Sequence, residues 1–275
     1  MKLTVYGARG SIPMSHLGGS RYGGNTPCMI LEAQGERLIL DAGSGLMLLQ
    51  EELLQAYPDY PDGIPEQHLL LSHLHLDHII GLGMFRGTFA DHAPMHIYTC
   101  SRGDNSLEDQ LYDAFKPPFW PTPLKDIAKV SFTEITVQEP FHIGPFTVSA
   151  FLSKHPDQTL MFHITDGEKT CVYLLDSEIK LLTPTEYQEL VAYCQDADIV
   201  IADASYTPAD YEIRRGWGHS TMFEGMQLAR DSGCKNMIFA HLSPFYSDEE
   251  LTSWERHFEP GCHYILAYEG LVLEV

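Results

Sequence analysis

Residues 68–85 read HLLLSHLHLDHIIGLGMF, and the six positions from His73 to His78 hold three histidines and an aspartate. The apolar run Leu69, Leu70, Leu71 just before them reads as a buried strand. Titratable groups placed directly after such a strand either solvate a loop or hold something that compensates their burial. Histidine accounts for 14 of the 275 residues, so this cluster is not the background density of the chain. A metal site is the expectation. His73 and His75 stand two apart, and on extended backbone such residues point the same way. Both can face one ion. Asp77 and His78 come where the chain should turn into Ile79-Ile80-Gly81, so they diverge from the first pair and can serve a second ion. Imidazole and carboxylate donors with no thiolate suit zinc, iron or manganese.

One loop cannot close two metal sites, so the remaining ligands must come from distant segments. Four further apolar runs end on a titratable residue: FTVSAFLSKH on His155, TCVYLLD on Asp176, ADIVIAD on Asp203 and KNMIFAH on His241. The ends of buried strands are where an open sheet presents its ligand groups. Each alone is an ordinary strand-end polar residue, but four of them beside the cluster point to one site. RRGWGHSTM, residues 214–222, places His219 just before a helix start, where it either acts on substrate or simply belongs to a loop. The solitary His16, His92 and His257 read as surface or satisfied-core residues.

The bulk numbers narrow the function. Seventeen Lys and Arg stand against 38 Asp and Glu, a formal charge of -21. A polyanion binds by exchanging counterions for Lys and Arg, so a nucleic-acid polymer is disfavoured as partner. Arg9, Arg21, Lys154, Arg214 and Arg215 lie beside the motifs and are the candidates for touching a substrate phosphate, although each is more simply a surface charge. No apolar run reaches about 18 residues, the length of a membrane span. MKLTVYGARG alternates like a strand rather than a leader peptide, so a cytoplasmic protein is expected. The six cysteines, none spaced as C-x-x-C, are expected to be reduced and buried. A homodimer is compatible with the sequence.

The chain reads as one domain over residues 1–275. Strands are expected near 2–6, 28–33, 37–41, 68–72, 95–99, 131–137, 146–152, 159–165, 170–175, 198–202, 237–240 and 264–274. Helices are expected near 45–56, 106–115, 184–195, 221–232 and 248–258. TPTE at Thr183 and SDEE at Ser247 are capping boxes, and Ser220 is the expected cap of the helix after GHS. KPPFWPTP, residues 116–123, has four prolines in eight positions, so it is neither helix nor central strand. It reads as a rigid loop between the two halves, with Phe119 and Trp120 either packed or overhanging the site to stack a base. Strand-rich halves with interspersed helices predict an α/β sandwich: two mixed sheets face to face with helices outside.

The motifs resemble a known family. SHLHLDH is similar to the H-x-H-x-D-H signature of metallo-β-lactamase-fold hydrolases. GARGSIP at 7–13, RYGGNTPC at 21–28, LILDAGSG at 38–45, YLLDS at 173–177, ADASYT at 202–207, GWGHST at 216–221 and FAHLSPFYSDEE at 239–250 resemble its phosphodiesterase branch. That branch holds the tRNA 3′-processing endonuclease RNase Z and bacterial cyclic-phosphate and cyclic-nucleotide phosphodiesterases. The resemblance implies an αββα sandwich and two divalent ions, zinc foremost, with manganese or iron compatible. It implies His73, His75 and His155 on the first ion, Asp77, His78 and His241 on the second, and Asp176 bridging. It further implies a catalytic Asp203–His219 dyad beside the ions, and Asp41 bracing the histidine loop. Ser177 stands where the branch commonly has threonine. No long Gly-rich and basic insertion of the kind RNase Z relatives use to grip RNA is present.

Two divalent ions, Asp77, Asp176 and a bridging hydroxide would sum to a local charge of about +1, attractive to a single phosphodiester. The expected function is therefore a phosphodiesterase acting on small or cyclic phosphodiesters through that hydroxide. A lactonase or thioesterase of the same fold, an RNase Z-like endonuclease and a non-enzymatic metal-dependent sensor are the alternatives.

Overall fold

The computed structural model describes residues 1–15, 20–59, 63–91, 95–101, 103 and 105–275. His16 and His92 fall outside the described residues. In chain order the strands are β1 (Lys2–Gly7), β2 (Cys28–Ala33), β3 (Glu36–Leu40), β4 (Gln67–Leu70), β5 (Met95–Thr99), β6 (Val130–Glu134), β7 (Phe141–Ile143), β8 (Phe146–Leu152), β9 (Leu160–Thr165), β10 (Thr170–Leu174), β11 (Ile199–Asp203), β12 (Asn236–Ala240), β13 (His263–Leu266) and β14 (Val272–Glu274). The α-helices are α1 (Leu46–Ala56), α2 (Leu76–Ile79), α3 (Leu107–Ala114), α4 (Pro184–Tyr193), α5 (Pro208–Arg214), α6 (Met222–Ser232) and α7 (Asp248–Trp254).

The strands form two seven-stranded mixed sheets, ordered β14-β1-β2-β3-β4-β5-β6 and β13-β12-β11-β10-β9-β8-β7. In the first sheet β14 to β3 pair antiparallel and β3 to β6 parallel. The second repeats the scheme, antiparallel from β7 to β10 and parallel from β10 to β13. It follows that β1, β3 and β4 end at one edge of their sheet, and β8, β10, β11 and β12 at one edge of theirs. A parallel backbone bridge between Arg9 and Leu242 joins these two edges.

Burial explains the layers. Leu3, Leu31 and Leu70 of the first sheet pack with Phe146, Phe162 and Ile201 of the second, forming the inter-sheet core. On the outside of the first sheet, Ile39 and Leu69 meet Leu46, Leu49 and Leu53 of α1. On the outside of the second, Leu174 and Val200 meet Met226 of α6 and Leu251 of α7. The Leu69-Leu70-Leu71 run is therefore apolar because both faces of its strand are covered. Each of these fully buried leucines contributes about 1.5–3 kcal/mol.

Several expectations are corrected. The break between the sheets falls after β6, not at 116–123, and β14 returns to the first sheet. The expected strand 264–274 is two strands in different sheets, separated by a turn at residues 267–271. The short β7, α2 and α5 carried no periodicity to announce them. Thr221, not Ser220, caps α6, in a capping box with Glu224. Ser220 is buried instead, its hydroxyl donating to the Ser177 carbonyl and its amide to Asp203. Trp120 packs on Phe115 and over Gly83, where a Cβ would lie 2.5 Å from its ring. That is the packed reading of the proline loop; Phe119 is exposed. Cys262 is partly exposed rather than buried, and all six cysteines are free thiols. Among the described residues no helix is long and apolar enough to cross a membrane.

Candidate metal centre

The edges where the strands end carry residues with unusual backbone. Asp41 after β3, Asp176 after β10 and His241 after β12 have φ of 56°, 52° and 58°. Left-handed backbone is uncommon away from glycine, and it clusters at functional sites. Here it redirects each side chain off the strand axis. Asp77 and His78 are turned by α2, whose first turn begins after His75.

The side chains converge on Asp176. Its Oδ2 lies 3.4 Å from His73 Nε2 and 3.5 Å from His155 Nε2. Its Oδ1 lies 3.3 Å from His78 Nε2 and 3.3 Å from His241 Nε2. Asp77 Oδ2 lies 3.1 Å from His241 Nε2 and 3.5 Å from His78 Nε2. Three sets of donors have their ligand atoms within 4.8 Å of one another: two hold the residues expected as ligands, His73 with His75, His155 and Asp176, and Asp77 with His78 and His241, and a third, Asp176 with Asp203, His219 and His241, overlaps them. The structure thus brings together all seven residues expected as ligands.

Hydrogen bonds fix the orientation of each histidine ring. The Ser72 hydroxyl donates to Asp41 and faces His73 Nδ1 at 3.0 Å. The Thr159 hydroxyl donates to the Asp157 carbonyl and faces His155 Nδ1 at 3.1 Å. The Ser205 hydroxyl donates to the His241 carbonyl and faces His241 Nδ1 at 2.9 Å. A hydroxyl has one proton to give, so each of these accepts from an imidazole Nδ1–H, which leaves Nε2 as the ligating nitrogen. His78 Nδ1 donates to Asp41 Oδ2 at 2.7 Å, with the same result. His75 is reversed: its Nε2 lies 2.6 Å from Asp157 Oδ2, leaving Nδ1 to face an ion. Such partners fix ring orientation at metal sites.

Asp41 is the hub of this support. Fully buried, it accepts from the Ser72 amide and hydroxyl, from His78 and, at 2.6 Å, from Tyr173 of the opposite sheet. Ser72, Tyr173, Thr159, Ser205 and Asp157 were not singled out in the sequence. Their one common signal is a hydroxyl or acid near a cluster residue in sequence or at the same strand end.

Buried atoms test the fit to metal. Among the described residues, the buried side-chain atoms without a hydrogen-bond partner are Thr88 Oγ1, Thr99 Oγ1 and three in this cluster, His73 Nε2, His78 Nε2 and Asp176 Oδ1. Leaving such an atom unsatisfied costs about 1–3 kcal/mol. The three in the cluster belong to the two sets expected as ligands, and nitrogen and oxygen donors without thiolate fit divalent zinc, manganese or iron. The charges agree. Burial pushes the carboxyl of Asp176 up, but His241, His78 and His73 outweigh it and hold it well below the usual range. Burial pushes Asp77 up as well, and His78 and His241 hold it below the carboxylate range. Burial pushes His155 down to about 4 and His73 well below the imidazole range. Burial acts the same way on His241, but Asp176, Asp77 and Asp203 raise it to about 9. Asp176 and Asp77 likewise raise His78.

Asp203 and His219 form a separate pair. His219 Nδ1 lies 2.8 Å from Asp203 Oδ2, and Asp203 Oδ1 accepts from the amides of Ser205 and Ser220. The Asp203 carboxylate is thereby fully engaged. His219 stacks on His241 at 4.7 Å and lines an open cleft of about 380 Å³ together with Ser11, Leu76 and Asp77. Two glycines keep the cleft walls close. A Cβ on Gly10 would meet the His241 ring at 2.2 Å, and Gly218, at φ +91°, lies against His155.

The cations expected near a phosphate are mostly elsewhere. Arg9 is fully buried, bound to Asp248 and to the carbonyls of Gly23 and Tyr246. Arg21 pairs with Glu255, Lys154 with Glu186 and Arg214 with Asp210. Arg215 is exposed.

Comparison with known proteins bears on the arrangement. Residues 36–242 match the family model described as the beta-lactamase superfamily domain. The chain is 22% identical to a protein named Ribonuclease Z from Bradyrhizobium diazoefficiens, covering 98% of this chain and 99% of that one. It is 27% identical to the probable metallo-hydrolase YhfI of Bacillus subtilis, covering 89% and 88%. The crystal structure of YhfI superposes with a TM-score of 0.71 at 20% identity, over 99% of both chains. A diphosphatase from the PhnP family superposes with a TM-score of 0.70 at 19% identity, over 100% of this chain and 97% of that one.

Proposed function

The chain belongs to the β-lactamase superfamily and is a metal-dependent hydrolase, and we propose that it cleaves small or cyclic phosphodiesters with two divalent ions. His73, His75 and His155 hold the first ion, Asp77, His78 and His241 the second. The observation that carries this reading is the division of Asp176, one oxygen facing His73 and His155, the other facing His78 and His241. A pair of divalent ions supplies activated water and charge for a phosphoryl oxygen.

The protein's own groups do the rest. Asp41, Asp157 and the three hydroxyls fix which nitrogen each histidine turns inward. Asp203 holds His219 by Nδ1, leaving Nε2 for the cleft, from which the imidazolium form gives a hydrogen bond or proton to the departing oxygen. Zinc is the proposed resident ion, given the nitrogen-rich donor set. A small diester is favoured over a polymer because Arg9, Arg21, Lys154 and Arg214 are already paired, and the chain carries a formal charge of -21. The relatives named Ribonuclease Z favour a second reading, cleavage of precursor RNA.

The test is turnover of bis(p-nitrophenyl) phosphate, a panel of cyclic nucleotides, a lactone and a 3′-extended RNA by protein loaded with zinc, manganese or iron. Turnover of the diesters supports the proposal. Hydrolysis of the lactone alone contradicts it, and RNA cleavage without small-diester turnover moves the assignment to the second reading.

A further inference from the structure

Beyond the metal cleft, a cavity of about 510 Å³ opens between the start of α6, the end of α7 and the loop after β11. Five aromatic rings line it, Tyr206, Phe223, Tyr246, Trp254 and His257, together with Arg256 and the carboxylates of Asp210 and Glu250. Tyr246 and Trp254 are buried and meet edge to face at 5.1 Å, forming a rigid floor. Phe223 is 39% exposed and meets the His257 ring at 5.5 Å, forming a side wall open to solvent.

The charges around this cavity are unequal in availability. Asp210 accepts from Tyr246, Thr207 and Arg214. The Glu250 carboxylate is engaged by the Ser247 amide and hydroxyl. Glu255, next in sequence to Arg256, is bound to Arg21. Arg256 is exposed and forms no hydrogen bond or ion pair among the described residues. A guanidinium with no partner among the described residues, lining the same cavity as these rings, selects a flat ring bearing a negative group. Tyr206 separates this cavity from the metal cleft, its ring centroid 5.6 Å from that of His219.

We infer that this cavity is a second ligand site, taking a planar aromatic anion whose ring lies against Phe223 and the Tyr246–Trp254 floor and whose charge meets Arg256. It holds no metal ligand, so it does not rest on the phosphodiesterase reading.

Equilibrium dialysis of the metal-loaded enzyme with 2-naphthoate, and separately with the neutral 2-naphthamide, tests it. Saturable binding is expected, tighter for naphthoate. Arg256→Gln should weaken naphthoate about fivefold and leave naphthamide unchanged. Phe223→Ala should weaken both about fivefold. Both positions are exposed and away from the metal ligands, so the naphthamide result for Arg256→Gln also reports that the variant is folded. Absence of saturable naphthoate binding, equal affinity for the two probes, or indifference to both substitutions would overturn the assignment.

Discussion

The two sheets furnish the site in different ways. The first delivers four residues, His73, His75, Asp77 and His78, from one loop and the short helix behind it. The second delivers His155, Asp176, Asp203 and His241 singly, each at or just beyond the end of a different strand. Yet the sheets have the same pairing scheme, antiparallel on one side and parallel on the other. The difference lies in the segments that leave the strands. After β4 a loop over residues 71–75 leads into α2, so neighbours in sequence fan out around two positions. After β10 and β12 a single left-handed residue redirects one side chain before the chain leaves. A contiguous half gives the centre its density, and a distributed half ties it to the tertiary fold.

That contrast can be broken at its strongest point. Asp176 is where the halves meet, so Asp176→Ala should drop the metal content from two ions to below one and turnover at least about a thousandfold. Retention of two ions would show that the loop residues suffice. Next, His219→Ala sits on the distributed half, in the third donor set with Asp203 but outside the two sets proposed to hold the ions. It should keep both ions and lose about a hundredfold or more in kcat; metal analysis beside steady-state kinetics separates the two effects. On the contiguous half, Asp157→Ala removes the acceptor of His75 Nε2. It should weaken one ion of the pair about tenfold, with the other unchanged, in a chelator-competition titration.

The smallest effect concerns protons. In the metal-free protein the pKa of His241 is raised to about 9, chiefly by Asp176 against the opposing effect of burial. Its proton therefore stays bound below that pH and must leave when an ion takes Nε2. Apparent metal affinity should rise with pH and level off above about 9. Calorimetry at pH 7.5 in buffers of different ionisation enthalpy should show protons released on loading. Uptake without release would contradict the raised value.

The same contrast explains what was legible in the sequence. The 73–78 cluster stands out because its density is far above the chain's histidine background. His155, Asp176, Asp203 and His241 were visible only as strand ends, and the resemblance, not spacing, sorted them into ligands and dyad. The helper hydroxyls Ser72, Thr159 and Ser205 were not visible, since serine and threonine at strand ends are common and their role depends on where one proton points. Two sheets with outer helices could be read from the alternation of strands and helices. Elements of three to seven residues such as β7, α2 and α5 could not, because they are too short for a period to register. Arg9 was misplaced for a related reason: nothing local distinguishes a buried guanidinium, held by Asp248 239 positions away, from a surface one.

The proposed pair of ions, divided by Asp176, is tested most directly by anomalous diffraction from crystals of the metal-loaded protein. Two peaks about 3.5–4 Å apart, one beside each Asp176 oxygen, are the predicted result. A single peak, or a second one remote from Asp77, His78 and His241, would contradict it.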